Sequence, residues 1–257
     1  MVSDKASASS QEPPASQRVA FFDVVRGFSV ISMVLFHLCY DLRYIYGFDL
    51  GFFQPPFQDI WRCSISWVFL FIAGCMCTFS RNGLKRSAKY LLAALTVYVV
   101  TVLAAVDTPI SFGIIFCMGA CTLVEYLLQR LHIAPSGLAA AATLLLAFLF
   151  TQGISHGYVG FGSMHVYLPK SLYATPYLSW LGFPGPGFAS GDYYPVLPYC
   201  LMFLCGAAVA RWWKVTGYPK IVQSLSFAPL EAVGRHALPI YLFHQPLIIA
   251  FIELFLI

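Results

Sequence analysis

Four ionisable side chains interrupt an otherwise apolar run, DVVRGFSVISMVLFHLCYDL over residues 23–42: Asp23, Arg26, His37 and Asp41. On a helix, Arg26 and His37 share a face roughly 16 Å apart, and Asp41 follows His37 by one further turn on that face. The stripe therefore sets a cation, an imidazole and a carboxylate in line. A neutral imidazole exchanges protons near neutral pH, and a carboxylate one turn away can hold its second nitrogen and fix the tautomer. A second apolar run, LPIYLFHQPLIIAFIELF over 238–255, carries His244 and Gln245, with Pro246 freeing a backbone carbonyl beside them. Asp192 stands just ahead of a third run, in GDYYPVLP.

The elements that must position these groups follow from composition. The chain is 59% hydrophobic and 10% charged, where a soluble domain is about 25% charged. Too few polar residues remain to cover a water-facing surface, so the solvent is lipid. A charge at mid-bilayer costs roughly 2.5–3.5 kcal/mol on insertion scales. Each group has an ordinary explanation taken alone. An embedded His can bond a carbonyl, Arg26 can snorkel, Asp23 can favour the helix dipole and Asp192 can cap a helix. Three on one stripe point to a wet or protein-lined cavity. Such a stripe also suits a non-enzymatic carrier, and His37 with His244 form a conceivable haem-ligand pair.

Seven stretches approach the 20 or so residues needed to cross the hydrocarbon: 25–46, 60–80, 88–106, 110–129, 134–153, 195–213 and 236–257. The expected fold is an all-α polytopic transmembrane helix bundle. With the amino end inside, the inner loops and helix ends take Lys5, Arg18, Arg26, Arg81, Lys85, Arg86, Lys89, Arg130, Arg211, Lys214, Lys220 and Arg235. The outer side keeps Arg43, Arg62 and Lys170. That bias predicts the N-terminus inside and the C-terminus outside. The net charge of +4 thus describes topology, and no nucleic-acid-binding motif accompanies it.

Residues 1–19 are small, polar and Pro-containing, and read as a disordered tail ahead of one membrane domain over 20–257. The tail lacks a basic n-region followed by an apolar h-region, so it is not a cleavable signal peptide. The eight cysteines show neither zinc nor redox spacing and read as small packing residues. Outer residues 155–194 form a long aromatic connection that includes Trp180. It reads as an interfacial belt, with a lid or sugar-stacking platform as the functional alternative.

Five segments carry a resemblance when taken in order: FFDVVRGFSVISMVLFHLCYDL, FLFIAGCMCTFSRNGLKRSAKYL, ISFGIIFCMGACTLV, DYYPVLPYCLMFLCGA and EAVGRHALPIYLFHQPLI. Over 18–257 the chain resembles a family of prokaryotic membrane proteins whose domain is similar to the catalytic domain of heparan-alpha-glucosaminide N-acetyltransferase. That family lies within the transmembrane acyltransferase superfamily. Arg26, ten residues and His37 match the first helix of its polysaccharide O-acyltransferase branch. The lysosomal enzyme looks like it carries Asn at the position of His37, with its key His near Phe53–Gln54 of this chain.

The resemblance implies an integral-membrane acyltransferase, in a prokaryotic plasma membrane. It would move an acetyl or other acyl group from cytosolic acyl-CoA to an extracytoplasmic sugar amine or hydroxyl on a glycan or glycolipid. On that reading His37 is the general base, Asp41 orients it, and His244 with Gln245 donate to the thioester carbonyl or oxyanion. Arg26, Arg81, Arg86 and Arg235 are placed to meet the CoA phosphates. Asp192 and Trp180 would receive the acceptor. No metal is implied. The chain has fewer spans than better-known relatives, which makes a homo-oligomer with a shared cavity wall conceivable.

Overall fold

The computed structural model describes residues 19–80 and 82–256. The expected tail over 1–18 and Arg81 lie outside the described residues. Nine helices are found among those described: α1 (Ala20–Tyr40), α2 (Phe57–Cys77), α3 (Gly83–Leu103), α4 (Ile114–Arg130), α5 (Leu138–Phe150), α6 (Val196–Thr216), α7 (Lys220–Ser224), α8 (Ala228–Arg235) and α9 (Ala237–Phe255). Long apolar runs of Leu, Val, Ile, Phe and Ala form them because a helix satisfies its own backbone polar groups in lipid. Asn82 caps α3 by accepting from the Lys85 N–H at 2.9 Å.

Six helical segments are long and apolar enough to cross a membrane: Ala20–Ile45, Phe57–Cys77, Gly83–Leu103, Leu138–His156, Val196–Thr216 and Ala237–Phe255. The expected seventh, α4, is 17 residues long and carries Glu125 and Arg130, so by that measure the count is six. Still, α4 runs alongside α6. Its first N–H, on Ile114, donates to Asp192 just ahead of α6, and Glu125 near its far end pairs with Arg211 near the far end of α6. Glu125 is fully buried, and Gln129 also donates to it at 2.7 Å.

The main packings are α2 on α6, α1 on α8, α3 on α4 and α5 on α6. Two of them depend on glycines where backbones nearly touch. A Cβ on Gly74 would overlap the Phe203 carbonyl, and one on Gly206 would overlap that of Phe71. Gly27 and Gly234 do the same for α1 and α8 against Leu230 and Asp23. The core between α2, α4, α5 and α6 centres on Leu70, Cys117, Cys121, Phe148 and Phe203. All eight cysteines are free thiols.

The first and last long helices run side by side in the same direction. The Arg26 Nε donates to the Gly234 carbonyl, the His37 and His244 rings meet, Gln245 bonds Asp41 and Tyr46 bonds Glu253. The aromatic connection before α6 is not wholly irregular. It contains an antiparallel hairpin of β1 (Tyr158–Phe161) and β2 (Met164–Tyr167), with Met164 80% and Tyr167 75% exposed.

Candidate functional site

A cavity of about 280 Å³ opens at one end of the bundle. Its polar lining is Ser29, His37 and Tyr40 from α1, Gln58, Arg62 and Ser66 from α2, Tyr241 from α9, and Asp192 with Tyr194 from the connection ahead of α6. Val30, Met33, Phe36, Ile65 and Phe69 give it an apolar wall. Few polar groups converging in an apolar concavity is the usual form of a small-molecule site.

The His37 Nδ1 lies 2.9 Å from the Met33 carbonyl of its own helix. A carbonyl only accepts, so Nδ1 carries the proton and the neutral ring keeps its lone pair on Nε2. Asp41, expected to orient His37, is not its hydrogen-bond partner. The helix widens into a π turn at Asp41–Ile45, with the Tyr46 N–H reaching back to the Asp41 carbonyl. The buried Asp41 carboxylate instead accepts from Gln245 Nε2 at 2.7 Å.

His244 lies behind His37, ring centroids 4.8 Å apart, and lines an apolar groove between α1 and α9 with Phe243 and Leu247. Its Nδ1 bonds the Tyr241 carbonyl at 2.6 Å, so in the neutral ring Nε2 accepts rather than donates. The expected role as an oxyanion donor therefore requires the imidazolium. Gln245 spends one amide hydrogen on Asp41. Among the described residues the buried His244 Nε2 and Gln245 Oε1 find no hydrogen-bond partner, the kind of atom a water or substrate satisfies.

Asp192 Oδ2 accepts from the Ile114 N–H at 3.1 Å and from the Tyr241 hydroxyl at 3.4 Å. Burial pushes its carboxyl above the ordinary value, against those two hydrogen bonds and the charges of His37 and Arg62. Burial likewise pushes the Tyr194 hydroxyl up to about 12, which keeps it a donor. Trp180 stands outside the cavity lining, 42% exposed.

Of the expected phosphate-binding arginines, the described Arg26, Arg86 and Arg235 lie at the opposite end. Arg26 donates to Asp23 at 2.7 Å and to Met76 Sδ at 2.9 Å. Arg86 donates to the Met76 carbonyl at 3.0 Å. Arg235, 3.7 Å from Glu231, follows Gly234, which Arg26 contacts. Lys214 joins them, donating to the Thr78 carbonyl and lying 4.2 Å from the Phe79 ring centre. Among the described residues no group of three or more His, Cys, Asp and Glu is arranged to hold a metal.

Sequence reasoning missed Arg62, Tyr194 and Tyr241 as cavity residues. Loop charge alone makes Arg62 an outer-side cation. The signal available was its place near the start of a span that faces the Asp192 connection.

Six long apolar helices and a polar-lined cavity among them define an integral membrane protein. Residues 18–246 match the family described as heparan-alpha-glucosaminide N-acetyltransferase, catalytic. The match covers most of the chain, and the protein belongs to that family, a family of membrane acetyltransferases. No curated protein and no solved structure matches it.

Proposed function

We propose that the protein transfers an acyl group, acetyl in the first instance, from acyl-CoA to a sugar amine or hydroxyl. The observation that carries this reading is His37. It lines the cavity with a tautomer set by Met33, which leaves Nε2 as a base beside Asp192, Tyr194 and Tyr241. The acceptor N–H or O–H gives its proton to Nε2 as its heteroatom adds to the thioester carbonyl. The tetrahedral adduct expels CoA thiolate as the C–S bond breaks, and the imidazolium returns the proton to that sulfur.

Asp41 and Gln245 act as positioning residues that tie α1 to α9 behind His37. The phosphates are met at the end where Arg26, Arg86, Arg235 and Lys214 gather. The Arg235 side chain is 42% exposed there. With the N-terminus inside, that end is cytosolic and the cavity opens outward. Eleven residues of α1, roughly 16 Å, separate Arg26 from His37, a gap the pantetheine arm of CoA spans.

The test is label transfer from radiolabelled acetyl-CoA into glycan acceptors by protein reconstituted in liposomes. His37→Ala is expected to lose about 10²–10⁴ in rate while acetyl-CoA binding is retained. A wild type that does not bind acetyl-CoA refutes the reading and favours a carrier.

A further inference from the structure

Arg62 is the cavity residue that neither the packing nor the transfer step accounts for. It sits in the second turn of α2 with its side chain 49% exposed, on the lining it shares with His37 and Asp192. Among the described residues its guanidinium makes no hydrogen bond. Its one ion-pair neighbour is Asp59, a turn back at 3.7 Å and itself 59% exposed, an arrangement that contributes little.

The contrast with Arg43 is informative. That guanidinium donates to the Leu50 carbonyl at 2.6 Å and so braces a turn. Asp192 does not use the Arg62 fork either, because the hydrogen bonds to its carboxylate come from Ile114 and Tyr241. The cavity thus holds a planar cation whose five donors meet no protein hydrogen-bond acceptor among the described residues.

We propose that Arg62 binds an anionic oxygen group, carboxylate or phosphate, carried by the acceptor, and so selects acidic sugars over neutral ones. The acyl-transfer reading supplies only the name of the ligand as acceptor. A guanidinium meets either oxyacid with two parallel charge-assisted bonds, which an ammonium does not. Asp192, in the same cavity, repels that anion and attracts an amine. The two charges therefore orient the sugar, with its acid toward Arg62 and its nucleophile toward Asp192 and His37.

The experiment measures equilibrium binding of three sugars to the purified full chain in detergent, with no acyl donor present: glucosamine, glucosamine 6-phosphate and 2-amino-2-deoxyglucuronic acid. Wild type is expected to hold at least one acidic sugar about tenfold tighter than glucosamine, a preference that weakens with salt. Which of the two it holds identifies the group as phosphate or carboxylate. Arg62→Gln is expected to bring the acidic-to-neutral affinity ratio toward one, and Arg62→Lys to keep part of it. A wild-type ratio of one, no measurable binding of either acidic sugar, or an unchanged ratio in Arg62→Gln overturns the proposal. Failure of the transfer reading looks different: acidic sugars bind through Arg62, yet none accepts label from acetyl-CoA.

Discussion

Replacing Gln245 by Leu tests the link that holds the first and last long helices in register. Leu has nearly the volume of Gln, so the change leaves little cavity. What it removes is the 2.7 Å bond from Nε2 to Asp41. Asp41 is 1% exposed, so water does not replace the lost donor. A hydrogen bond to a charged group is worth about 1.5–3 kcal/mol net. For a chain of this size each kcal/mol moves the melting temperature by about 2–4 °C, so the expected fall is about 3–12 °C. Unfolding in detergent micelles, followed by tryptophan fluorescence, reads it directly. The decisive comparison is the same substitution in an Asp41→Leu background, where no carboxylate remains to be stranded. There the effect is expected to shrink to a few tenths of a kcal/mol, because the cycle isolates the pair. Equal losses in both backgrounds would refute the reasoning, since Gln245 would then act through packing alone.

Gly74→Ala places a methyl against the Phe203 carbonyl, where only backbone movement relieves the overlap. About 1–3 kcal/mol of destabilisation is expected in the same melt, and a variant as stable as wild type would show that α2 and α6 are not in backbone contact. Asp192→Asn is expected to gain stability over wild type as pH rises. Burial raises the folded carboxyl above its ordinary 3.8, so folding favours the protonated form below that value, and the advantage is lost as pH climbs through the folded value. Melting-temperature differences between the two proteins across that window check the sign. A difference that is flat, or that reverses, contradicts it.

Apolar content made the long helices legible, because a span needs little more than sustained length without charge. The helix starts were less so: α1 begins at Ala20, ahead of Asp23 and Arg26, and α3 at Gly83, ahead of Lys85 and Arg86, where charges in the opening turns masked them. The short helices α7 and α8 carry too few residues to show a period. The docking of α8 on α1 depends on Gly27 and Gly234 meeting backbone, a pairing between positions far apart in the chain. The polar stripe was visible as spacing, yet two of its details were not. Spacing alone puts Asp41 under His37, whereas the Asp41 carboxylate accepts from Gln245 and the His37 Nδ1 turns back to the Met33 carbonyl. Loop-charge counting assigns Arg62 a side of the membrane, but it has no means of placing it on a cavity wall. The hairpin of β1 and β2 was hidden among aromatics that suit an interface equally well.

The parallel neighbours α1 and α9 set an order of events. Asp41 and Gln245 lie 204 residues apart in sequence, so α1 leaves the ribosome long before the residues that brace it. Until α9 inserts, Asp41 has no amide to bond and His37 has no second ring against it. Confinement in a bilayer makes the late arrival tolerable, because both helices already stand upright and the search is a two-dimensional one. The cavity wall that Tyr241 adds beside His37 therefore forms only once α9 has inserted.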